Sequence, residues 1–143
     1  MSPARRVPAL LVTHGRLGEA LVEAARGITG AVEDVVVLSN HGLSRDALAA
    51  RVREELARFG PAGGLVLVDV AGGSCAQASF LVASRDAPGP VPVLCGVNLP
   101  LLLDYLHNRM DASPRALAQR LVARGQASVL LLAARETHPG SAV

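Results

Sequence analysis

Lysine is absent from this chain of 143 residues, and its 14 basic residues are arginines scattered singly or in short pairs. No basic stripe of the kind that tracks a nucleic-acid backbone is present, and a formal net charge of +2 gives no reason to expect a polyanionic partner. Cysteine is scarce: Cys75 and Cys95 are too few and too far apart in sequence for a metal knuckle or a disulfide framework. Both read as small buried hydrophobes. Cys75 lies beside a glycine-rich turn, where a helix amino end lowers a thiol pKa, but no base is visible in its own neighbourhood and it is left outside the chemistry. Long apolar runs are missing too. Half of the residues are apolar, yet they are Ala, Val and Leu interrupted by charges or glycines, and none approaches the ~18 residues of a membrane span. The opening residues carry two arginines without the apolar segment or cleavage site of an export signal. A cytoplasmic protein without direct membrane insertion is therefore expected. There is no internal repeat or low-complexity linker, and the length suits one domain that buries roughly 70% of its unfolded surface. That domain is expected at 1–134, with 135–143 as a flexible tail.

What is present is a βαβα rhythm: short apolar runs alternating with amphipathic stretches, the pattern of a parallel sheet with helices on both faces. The runs fall at 8–13, 34–39, 64–70, 91–97 and 127–134. Helical spacing covers 17–28, and Ser44 caps a helix that ends before Gly60-Pro61. Further helices are expected at 74–84, after Asn98-Leu99-Pro100, and after Ser113-Pro114, the last stopping at Gly125. A strand order of 2-1-3-4 would set the first strand beside the third. The ends of Leu11-Val12-Thr13-His14 and Leu67-Val68-Asp69 would then meet.

Ligands of open α/β sheets collect outside the carboxyl ends of the strands, so an imidazole delivered there by His14 is a candidate for chemistry. Asp69 ends a continuous apolar strand, where an acid is costly to bury alone. A carboxylate accepting the Nδ1 proton of His14 would fix the tautomer, leave the Nε2 lone pair free, and stabilise positive charge as the ring attacks an electrophile. Read separately, Asp69 could simply cap the turn that follows and His14 could be a solvated strand-end histidine. Gly72-Gly73-Ser74 supplies the third element, a turn exposing amides at a helix amino end, where phosphate is favoured, with Ser74 able to cap the helix and bond a phosphoryl oxygen. It is not a P-loop, for no lysine follows.

Leu11-Val12-Thr13-His14-Gly15, Val68-Asp69-Val70-Ala71-Gly72-Gly73-Ser74 and Gly96-Val97-Asn98-Leu99-Pro100 together resemble, in order and spacing, the IIA component of the mannose-type sugar phosphotransferase system. The likeness runs from about Val7 to Ala134. It implies a phosphocarrier in which His14 takes a phosphoryl group from the phosphohistidine protein HPr and passes it to a IIB component. It also implies an α/β three-layer sandwich whose four-stranded parallel sheet is joined by a C-terminal strand, Ser128 to Ala133, exchanged within a homodimer. In this scheme His14 is the nucleophile, Asp69 orients it, and Gly15, Gly73 and Ser74 bind the phosphoryl oxygens; no cofactor or metal is expected.

The chain departs from the family pattern at Cys75, where proline usually follows the Gly-Gly-Ser segment. His41, on the loop Asn40-His41-Gly42, has no counterpart in the pattern and reads as a solvent-facing residue or an accessory phosphate or partner contact. Asn98 is expected to bond a backbone turn, and His107 and His138 are bystanders. Two other readings stand beside the transport role. One is a regulatory phosphoacceptor that reports the state of the phosphotransferase system to another protein. The other is a small tetrapyrrole metal chelatase using His14 with His41, which leaves Asp69 and the Gly-Gly-Ser turn unexplained.

Overall fold

A computed structural model of the protein describes residues 4–133. Four parallel strands, β1 (Ala9–Thr13), β2 (Val35–Ser39), β3 (Leu65–Val68) and β4 (Val93–Cys95), form one sheet in the order β2-β1-β3-β4. The helices are α1 (Leu17–Thr29), α2 (Arg45–Ala57), α3 (Ser74–Arg85), α4 (Leu99–Asn108) and α5 (Pro114–Ala127). β1 and β3 are buried along their whole length, as continuous apolar strands covered on both faces must be.

Alternation along these strands sorts their side chains into two cores. Ala9, Leu11, Leu65 and Leu67 pack under α1, α4 and α5, whereas Leu10, Val12, Val66 and Val68 pack under α2 and α3. The result is the three-layer arrangement expected from the sequence. The register Val12↔Val68 leaves the next residues, Thr13 and Asp69, level at the carboxyl edge. His14 projects one residue further on.

Element ends differ from the sequence reading for local reasons. The run 91–97 yields only Val93–Cys95 because Pro92 has no N–H for the ladder and Gly96 turns left-handed at φ 94°. Gly125 does not stop a helix. It lies within α5, where a Cβ would come 2.9 Å from Leu101 Cδ1, so its lack of a side chain lets α5 approach α4. The predicted strand at 127–134 finds no pairing among the described residues. Ala127 closes α5, residues 128–133 have no strand partner among the described residues, and Val129, Leu130, Leu131 and Leu132 are exposed. Ala134, the 135–143 tail and His138 lie outside the described residues.

Candidate functional site

The end of β1 is shaped by two residues on either side of His14. Thr13 is fully buried, and its Oγ1 accepts the Gly18 N–H at 2.8 Å, satisfying a free donor at the start of α1. Gly15 adopts φ 57°, the left-handed conformation that lets the chain turn from strand to helix within a few residues. His14 is thereby held on a short arm between β1 and α1.

Asp69 follows β3 directly and closes on that arm. Its Oδ2 accepts the His14 backbone N–H at 2.9 Å, and the two carboxylate oxygens stand 3.0 and 3.1 Å from His14 Nδ1. An ionised carboxylate only accepts, so in the neutral ring the proton belongs on Nδ1 and the lone pair on Nε2. Val70 N–H donates to Asp69 Oδ1 at 3.0 Å. Burial pushes the Asp69 carboxyl upward, but the hydrogen bonds from His14 and Val70 outweigh it and hold the group below the usual carboxylate range. The Asp69 side chain is only 10% exposed while that of His14 is 40% exposed, so the acid is withdrawn and the ring is reachable.

The start of α3 lies across from the ring. A Cβ on Gly73 would fall 2.8 Å from His14 Cε1 and 3.0 Å from Nε2, so this approach requires glycine. Gly73 is the residue before α3 and provides no side-chain cap; Ser74 is the first helical residue rather than the cap expected from the sequence. By contrast, Ser44, Asn98 and Ser113 cap α2, α4 and α5 with their side chains. The amides opening α3 are therefore left without a side-chain acceptor beside Nε2, in the positive end of the helix dipole.

Of the residues assigned to phosphoryl binding, Gly73 and Ser74 stand at this helix start, whereas the Gly15 N–H is engaged, donating to Asn40 Oδ1 at 3.1 Å. Asn40 and Thr13 were missed as positioning residues; their position at strand ends beside the His-Gly turn was the available signal. His41 is exposed, and its backbone N–H donates to Ser39 Oγ. Asn98 does bond a turn: its Oδ1 accepts Leu101 N–H at 2.9 Å, and its Nδ2 donates to Ser128 Oγ at 3.0 Å.

The cysteines correct the sequence reading in opposite senses. Cys95 is exposed at the end of β4, not buried. Cys75 is buried as expected, but it has titratable neighbours: its thiol, a ligand atom of His14 and one of Asp69 all lie within 4.8 Å of one another. Burial, then the charge of Asp69, pushes the Cys75 thiol up. Among the described residues no helix is long and apolar enough to cross a membrane.

The sequence pattern of the family EIIA-man, the PTS system fructose IIA component, matches residues 9–122. No curated protein matches the chain. Several solved structures share the fold. A phosphotransferase system component EIIA from Streptococcus agalactiae superposes with a TM-score of 0.80 at 22% identity, covering 87% of this chain and 95% of its own. The mannose/sorbose-specific IIA subunit of the phosphotransferase system from Enterococcus faecalis gives 0.78 at 21% identity, covering 94% and 100%. A sigma-54 interaction domain protein from Enterococcus faecalis gives 0.63 at 14% identity, covering 87% and 98%.

Proposed function

The chain belongs to the mannose-type IIA family of the sugar phosphotransferase system, and on that footing we propose that it is a phosphohistidine carrier, accepting a phosphoryl group from HPr on His14 Nε2 and donating it to a IIB component for sugar uptake. The observation that carries this reading is the His14 ring held by Asp69 at Nδ1 with Nε2 directed to the uncapped start of α3. In the accepting step the Nε2 lone pair forms the new N–P bond while the P–N bond to the HPr imidazole breaks, its electron pair staying on the departing ring. Such transfer needs in-line positioning and donors for the equatorial oxygens. The amides at Ser74 and Cys75 and the Ser74 hydroxyl fill that donor role; Gly73 contributes room. Gly15 joins them when its amide leaves Asn40. Asp69 stabilises the charge that the ring gains.

HPr and the IIB component must each reach a half-exposed ring at the sheet edge, so the docking face is the carboxyl end of the sheet. The carrier works in the cytoplasm, as a single domain spanning 1–134 and as a homodimer in which residues 128–133 add to the sheet edge of the partner. The four consecutive apolar residues at 129–132, left exposed among the described residues, support that exchange. Incubation with phosphorylated HPr, read by intact mass, tests the carrier: one phosphoryl group per chain is expected, and none on His14→Ala.

A second reading has a specific support, the shared fold of the sigma-54 interaction domain protein. There the same His14 chemistry would report phosphotransferase state to another protein. Phosphoryl acceptance without transfer to any IIB component would favour it.

A further inference from the structure

We propose that His14, Asp69 and Cys75 form a binding site for a soft divalent cation of the zinc class, and that occupation of this site excludes phosphorylation of His14. It is a cluster of three metal-ligating side chains with ligand atoms within 4.8 Å of one another. A tetrahedral zinc ion places its nitrogen, oxygen and sulfur ligands about 3.3–3.7 Å apart. His14 Nδ1 and Asp69 stand at 3.0–3.1 Å as a hydrogen-bonded pair, so the ion would take the place of the proton between them and the three ligand atoms would settle from within 4.8 Å to that spacing.

The donor set chooses the metal. One imidazole, one carboxylate and one thiolate suit zinc or cobalt(II), whereas magnesium and calcium prefer oxygen ligands alone. Charge agrees: a divalent ion neutralises the carboxylate and the thiolate, leaving no net charge in a site where Asp69 is 10% exposed and Cys75 is buried. Binding replaces the thiol proton, which goes to solvent, and no oxidant or reductant takes part. The exposed side of His14 leaves a fourth position open to water. Asp69 is held for this role by the His14 and Val70 backbone amides, which fix the carboxylate as outer partners fix a metal ligand.

The antagonism follows from the ring itself. If the ion takes Nε2, with Asp69 swung away from Nδ1 to reach it, the nucleophilic nitrogen is occupied. If it takes Nδ1, the neutral ring must carry its proton on Nε2, which then has no lone pair to offer. Either mode silences His14 as an acceptor. This second half of the proposal rests on the carrier reading above; the site itself does not.

Cobalt(II) titration of the metal-free, untagged protein is the test. A one-equivalent end point with a sulfur-to-cobalt charge-transfer band and the intense visible bands of tetrahedral cobalt is expected. Cys95→Ala should keep that spectrum, and Cys75→Ala should lose it and weaken zinc binding at least about a hundredfold while keeping its circular dichroism. Weak octahedral bands alone, or a charge-transfer band that vanishes with Cys95→Ala, would overturn the site. Zinc-loaded protein, freed of excess metal, should accept phosphoryl from HPr at least about tenfold more slowly than the metal-free form; equal rates would overturn the antagonism. A metal-free protein that accepts no phosphoryl group would sink the carrier reading and the antagonism with it, while the cobalt spectrum would still decide the site.

Discussion

At the scale of single residues, His14 is the proposed acceptor and its neighbours hold and polarise its ring. Replacing Asp69 with Asn preserves the volume but removes the charge that stabilises a ring gaining a phosphoryl group. The expected outcome is a native spectrum with phosphoryl acceptance slowed about tenfold or more, one pKa unit's worth of electrostatics or beyond. Stopped-flow quench with phosphorylated HPr measures it, and an unchanged rate would take Asp69 out of the mechanism. Gly73→Ala probes the opposite side. Its new Cβ would meet the half-exposed His14 ring, which can swing away, so stability should shift by less than about 1 kcal/mol while acceptance falls sharply. Asp69 also links the site to acid stability. Its folded pKa lies below the unfolded value, so its stabilisation is fully present above about pH 4 and is lost as the pH falls through the depressed value. Urea midpoints of the native protein and Asp69→Asn should converge over that acid range; a gap that persists there would contradict it.

At the scale of elements, the ends of strands and helices carry the function. Asn98 caps α4 and also holds Ser128, the residue from which the apolar 129–132 segment departs. Asn98→Ala should therefore cost about 1 kcal/mol in urea unfolding and loosen dimerisation as well, read by sedimentation at several concentrations. Lost stability with unaltered dimerisation would confine Asn98 to capping. The sequence made these elements readable because hydrophobic period and capping residues are local signals: Ser44, Asn98 and Ser113 each cap the helix they were expected to open or adjoin. Gly125 misled because a glycine in a helix looks like a stop until the approach of Leu101 is seen. Ser74 misled because a serine after two glycines resembles a cap, whereas the absence of a cap there leaves the α3 amides open. The meeting of His14 with Asp69 was legible through strand order. The approach of Cys75 was not, because a residue 61 positions from His14 in sequence becomes its neighbour only when β3 and α3 are placed in space.

At the scale of the whole molecule, the sheet is covered on both faces by helices and, among the described residues, ends in two unpaired edge strands, β2 and β4, while the chain leaves α5 with Val129, Leu130, Leu131 and Leu132 exposed. Such a run in water fits the strand exchange proposed above. A chain ending at Ser128 should remain folded, because none of the described residues removed, 129–133, belongs to either core, yet it should sediment as a monomer where the full chain is expected to sediment as a dimer. A monomeric full chain would contradict strand exchange. The carrier role makes a further demand on the assembly: each His14 must stay open to two successive protein partners.

The most direct test of the central claim is the site of phosphorylation, read by long-range proton–nitrogen correlation on protein labelled with nitrogen-15 and phosphorylated by HPr. Phosphorus bonded to Nε2 of His14, with the Nδ1 proton retained against Asp69, is the expected result. Phosphorus on Nδ1, or on any other residue, would contradict it.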